Sequence, residues 1–183
     1  MSETPQPTTR SRRRAEAGFS MIEVLVAVAL LAVILLALMG LISAGIHRAY
    51  SGKKMTEATI LAQAAMERAN VYAAHTLLGA ASTATTATQT WTRDSSGTTP
   101  GTVTGTTPEA IERTAWSTLL ANADLPATNA NPAKLTVTMT AMPAGKDFSN
   151  ATMVQIVVDC NWVEWGTRQR QVRLQALNLR TTP

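Results

Sequence analysis

The sequence predicts an α+β protein: a long N-terminal α-helix, transmembrane in its first half, packed in its second half on a small antiparallel β-sheet. Three observations carry this reading. From Val24 through Ile46 the 183-residue chain runs 23 residues without a charged side chain. Beyond that run, apolar residues recur at the three- and four-residue steps of a helix. Towards the C-terminus, apolar and polar residues alternate in three short runs, the period of a half-buried strand.

A helix rises about 1.5 Å per residue, so residues 24–46 cover the roughly 30 Å hydrocarbon layer of a bilayer. The run is also longer than the apolar region of a secretory signal, about 7–15 residues. Gly40, Ser43 and Gly45 interrupt its apolar character, and Gly40 is the expected weak point of the helix. Glu23 stands where the run begins. A carboxylate at the edge of hydrocarbon is costly alone, so it requires headgroup water, a proton or a cation. Ahead of it, residues 1–17 are polar, aperiodic and basic, and read as a disordered leader.

Between residues 47 and 78 the pattern is amphipathic. Met55, Ala58, Ala62, Ala65, Met66, Ala69 and Tyr72 share a face, with Lys54, Glu57, Glu67 and Arg68 elsewhere around the wheel. This predicts a helix to about Leu78, stopped by Gly79. Residues 79–107 hold twelve threonines from Thr83 to Thr107, with Gly97, Gly101 and Gly105. They read as a Thr-rich surface loop, longer than most connections. Trp91 inside it either docks on the domain or serves as a contact residue. Thr107, Pro108 and Glu109 then supply an N-cap, a first-turn proline and a first-turn acid. A short helix with Ile111, Ala115, Trp116 and Leu119 follows, to about Asn122.

Three strands complete the C-terminal region, 108–183. Leu135, Val137, Met139 and Ala141 alternate with threonines, and Val154, Ile156, Val158, Cys160 and Trp162 form a second apolar face. The last strand sets Val172, Leu174 and Ala176 against Gln171, Arg173 and Gln175. A loop at Gly166-Thr167-Arg168 would pair Trp162 with Val172, Cys160 with Leu174 and Glu164 with Arg170. That register keeps the apolar faces together and opposes unlike charges, whereas pairing Trp162 with Gln171 would not.

The formal charge is +4, but residues 1–18 contribute four Arg and two Glu, about half of that excess. The basic balance therefore gives little reason to expect nucleic acid, and Arg168, Arg170 and Arg173 read as a solvated strand face. Cys160 is the only cysteine, which excludes an intramolecular disulfide and leaves a buried core thiol. His47 and His75 read as solvent or interface residues. Asp94 and Asp147 lack the neighbouring carboxylates that calcium needs. No phosphate loop, nucleophile elbow, paired-cysteine or zinc motif occurs, so no catalytic residue, metal or cofactor is expected.

One constellation remains. Arg10, Arg12, Arg13 and Arg14 precede Gly18, then come Phe19, Glu23 as the fifth residue, and the apolar run from Val24. This resembles the class III signal of type IV pilins and pseudopilins. The resemblance implies cleavage after Gly18 by a prepilin peptidase, methylation of the new terminus at Phe19, and filament assembly through Glu23. There Glu23 would neutralise the terminal amine of a neighbouring subunit, supplying its missing cation. The implied partners are other pilin or pseudopilin subunits, an inner-membrane assembly platform and membrane lipid. The implied location is a single-pass inner-membrane protein with its C-terminal domain in the periplasm, and then a filament whose core is bundled from residues 19–46. The segment 60–67 is similar to PilV-like minor pilins and to the I-type minor pseudopilin, and the helix around Trp116 with the Leu125-Pro126 that follows resembles PilV-like proteins. The expected function is structural: a minor pilin, or else a minor pseudopilin of a type II secretion system. A membrane-anchored binding module or filament-tip adhesin is the reading from another class, favoured by the Thr-rich stretch and Trp91.

Overall fold

The computed structural model describes residues 19–71, 77–99, 107–165 and 167–179. Gly18, Tyr72 and His75 lie outside them, as does the leader. Helix α1 runs unbroken from Met21 to Ala69. By their internal packing the residues form two units, one ending at Ile46 and the other starting at His47.

In the first unit every described residue is exposed, including the whole apolar run. The amides of Glu23 and Val24 donate to the Ser20 carbonyl at 2.9 and 3.2 Å, closing the first turn. A helix this apolar and this exposed is long enough to cross a bilayer.

The second unit is a five-stranded antiparallel sheet with helical segments on one face. Its strands are β1 (Thr86–Asp94), β2 (Gly97–Thr99), β3 (Ala133–Met142), β4 (Met153–Glu164) and β5 (Arg168–Leu179). They lie in the order β2-β1-β3-β4-β5. The alternation in β3 and β4 is realised: Leu135, Val137, Met139, Ala141, Val154, Ile156, Val158, Cys160 and Trp162 are all buried. They share one core with Ala58, Leu61, Ala62, Ala65, Met66 and Ala69 of α1. Helix α2 (Pro108–Asn122) begins as its cap residues dictate, with Thr107 Oγ1 accepting from the Ala110 amide at 3.3 Å.

Several expectations are corrected. The Thr-rich stretch is not simply a loop, because it supplies β1 and β2. Its period-two pattern puts Ala87 and Trp91 inward and Thr86, Thr88 and Thr90 outward. Thr88 and Thr90 meet Thr138 and Thr136 across the strands, hydroxyl to hydroxyl at 3.2 Å. β-branched side chains suit a pleated surface, so low complexity here coexists with strand propensity. Trp91 is fully buried, its ring edge-on to Trp116 with centroids 4.9 Å apart, and its indole N–H donates to the Arg113 carbonyl at 3.2 Å.

Helix α1 stops at Ala69 rather than near Leu78. The Asn70 amide is shared between the Met66 and Glu67 carbonyls, and Val71 donates to Arg68, a tightened last turn. Asn and a β-branched Val are both weak helix formers. The expected core face of α1 is realised at Ala58, Ala62, Ala65, Met66 and Ala69, with two differences. Met55 is exposed, while Lys54 and Leu61 are buried. In α2, Ile111 faces out and Ala110, Trp116 and Leu120 face in.

The final hairpin has neither of the registers considered from sequence. Trp162 lies opposite Arg170, Cys160 opposite Val172 and Glu164 opposite Arg168. The shift from the expected register is two residues, so the apolar faces stay together. Its cause is Trp165, which takes the left-handed conformation at φ 56 and starts the turn one residue early. The expected Glu164–Arg170 pair still forms, as a diagonal contact of 3.1 Å.

Candidate functional site

The sequence places the candidate site at the start of α1. Phe19, just ahead of the helix, and Glu23 in its first turn line one side together with Val24, Ala27, Val28 and Leu31. Together they form an apolar groove with a single carboxylate near its N-terminal end. Glu23 lies in the first helical turn, where the exposed amides favour negative charge. None of the ion pairs among the described residues involves it. The arrangement can therefore accept a cation delivered from outside the chain, in apolar surroundings where such a contact is strong.

The second unit holds two polar clusters, of which the sequence revealed only the Glu164–Arg170 pair. Glu164 is 1% exposed. It accepts from Arg170 Nε at 3.1 Å, Ser51 Oγ at 3.1 Å and Trp162 Nε1 at 3.4 Å. Burial raises its carboxyl pKa, but the bonds from Arg170, Ser51 and Trp162 outweigh that and hold it below the ordinary range. Because Ser51 belongs to α1, the cluster pins the β4–β5 turn to that helix.

One turn further along, Lys54 is equally buried. Its ammonium donates to the Asp124 carboxylate and carbonyl and to Glu57 Oε2 at 3.4 Å, and lies 5.0 Å from the Tyr50 ring centroid. Desolvation lowers its pKa, yet the hydrogen bond to Asp124 and the charge of Glu57 raise it further, so the net direction is upward. The one signal in the sequence was position, since Lys54 lies four residues before Ala58 and seven before Leu61, in step with the buried face. Its partner Asp124 is too distant in sequence for periodicity to find.

The remaining candidates have local roles. Asp94 accepts from the Ser96 and Gly97 amides in the β1–β2 turn, and Asp147 accepts from Ser149 Oγ and the Asn150 amide. His47 stacks edge-on against Trp165. Cys160 is buried, which pushes its thiol up to about 12. Among the described residues no three His, Cys, Asp or Glu side chains gather where they could hold a metal ion.

A long exposed apolar helix carrying a first-turn carboxylate, continued into a helix-backed antiparallel sheet, is a type IV pilin-like α+β fold. The chain matches the prokaryotic N-terminal methylation motif over residues 13–39, the region of the class III prepilin signal. Comparison with curated proteins and with solved structures gives no match. The motif indicates a type IV pilin- or pseudopilin-like protein, and with the long apolar N-terminal helix it suggests membrane anchoring. It implies processing by a prepilin peptidase and assembly with other pilins, and with the fold it suggests a structural, non-enzymatic role.

Proposed function

We propose that this chain is a structural minor pilin of PilV-like type, cut between Gly18 and Phe19, methylated on Phe19 and incorporated into a type IV pilus that it primes, caps or decorates. The observation that carries the reading is Glu23, five residues into the mature chain and facing outward beside an apolar groove. In a filament the Phe19 amine of an adjacent subunit meets Glu23 among apolar helices. Each buried charge then has its partner only in the assembled state, which favours assembly over isolated subunits in the bilayer. Before assembly the basic leader stays cytoplasmic, and the sheet domain lies in the periplasm beyond a single inner-membrane span.

The PilV-like choice over a type II secretion pseudopilin is favoured by the Trp116 helix and the closing β4–β5 hairpin. The adhesin reading has lost one of its two supports, since Trp91 is core. Two variants test the proposal. Gly18→Val leaves an uncut precursor on gels. Glu23→Ala is cut normally but is depleted from sheared filaments, because breaking a buried pair costs about 3–5 kcal/mol, a hundredfold or more in association. Normal incorporation of Glu23→Ala, or a mature-sized product from Gly18→Val, would overturn it.

A further inference from the structure

The β4–β5 turn carries the tryptophan that the fold leaves outside. Trp91, Trp116 and Trp162 are buried, whereas Trp165 is 60% exposed. Its backbone sits at φ 56, a conformation that bulky residues rarely take and that needs a reason. What the conformation achieves is a position against α1. The Trp165 ring lies 4.5 Å from His47, edge-on, and 5.6 Å from Tyr50. His47 directly follows Ile46, the last residue of the uncharged run.

The distances decide what this cluster faces. From residue 46 to residue 50 a helix rises about 6 Å. The polar layer on each side of the hydrocarbon is about 5–8 Å deep. Rings with an apolar body and a polar edge concentrate in that layer. The charges agree. Arg48, next to His47 in the chain, and Arg168, paired across the turn with Glu164, are exposed, and the ion pairs among the described residues do not include them. The adjacent carboxylate, Glu164, is buried and already held by Arg170 and Ser51. The patch thus offers cations and polar-edged aromatics to anionic headgroups.

We propose that Trp165, supported by His47 and Tyr50, with Arg48 and Arg168 near them in the chain, seats the β4–β5 turn in the lipid headgroup layer at the end of the span. The proposal rests on residues 24–46 crossing the membrane. The turn then acts as a second membrane contact that fixes the sheet domain against the bilayer, and it must be withdrawn when the subunit leaves the membrane.

The test uses the full chain in vesicles of phosphatidylethanolamine and phosphatidylglycerol, with bromine carried near the headgroup or deep in the acyl chain. Because the other tryptophans are buried in protein, Trp165→Phe isolates the Trp165 signal. We expect headgroup-proximal bromine to quench wild-type fluorescence, deep bromine to quench it less, and Trp165→Phe to lose the shallow component. A chain that floats with the vesicles while Trp165 is quenched by aqueous iodide instead would refute the headgroup seat alone. Shielding of Trp165 that grows with protein density and ignores bromine depth would put a second copy there and refute it too. A chain that fails to float would refute the span and this proposal together.

Discussion

Replacing Glu164 tests whether one buried carboxylate holds the β4–β5 turn to α1. Three donors converge on it, from Arg170, Ser51 and Trp162. Removing one partner of a buried pair costs about 3–5 kcal/mol when the surviving charge stays dry. The Arg170 side chain retains 25% of its exposure, so its guanidinium regains some water. Glu164→Ala should therefore cost about 2–3 kcal/mol, and Glu164→Gln, which keeps the shape and one acceptor, about 1 kcal/mol. The pH dependence fixes the sign. The folded carboxyl lies below its ordinary value, so its stabilisation is complete above the unfolded value near 4.3 and is lost as pH falls through the folded value. The gap between wild type and Glu164→Gln should accordingly shrink in acid. The assay is urea unfolding of the full chain in detergent micelles, followed by near-UV circular dichroism of the buried tryptophans at neutral pH and at about pH 3. A Glu164→Ala midpoint equal to wild type, or a gap that does not change with pH, would refute the pinning role.

Other outcomes follow from the same core. Trp116→Ala should lose about 3–5 kcal/mol by cavity formation, while Trp116→Phe should lose much less, since the Trp116 indole N–H has no hydrogen-bond partner among the described residues to forfeit. Chemical denaturation of both variants separates these outcomes, and equal losses would contradict the packing. Lys54→Met should remove an alkaline transition: the raised folded pKa makes the Lys54 contribution full below its unfolded value near 10.4 and lost as pH rises through the folded one. Wild type, but not Lys54→Met, should then weaken in urea titrations above that pH. Cys160 should resist iodoacetamide at pH 8 until urea opens the core, because its thiol is buried and pushed up to about 12. Labelling of the native chain would contradict that burial.

How much of this was legible in the sequence follows from what each residue answers to. The faces of β3 and β4 and the Thr107 cap are local, and strict alternation or a single side-chain bond declares them. The signal before Phe19 is local too, a fixed spacing of few residues. β1 was hidden because its inward residues, Ala87 and Trp91, are few among threonines that look like loop composition. Alternation of Thr with Ala and Trp was nevertheless present in Thr86–Thr92 and could have been weighed. The hairpin register depended on Trp165 accepting a left-handed backbone, and no propensity anticipates that for a tryptophan. Lys54 was misplaced because its burial is decided by Asp124 and Glu57, and only Glu57 is near it in sequence. Phe148, buried from within a loop, was likewise invisible to any periodic pattern.

The most direct measurement on the central claim is the N-terminal residue of the protein isolated from native membranes, read by mass spectrometry of its first peptide. That peptide should begin at Phe19 with a methylated amine. A terminus at Met1, or one lying beyond Ile46, would contradict it.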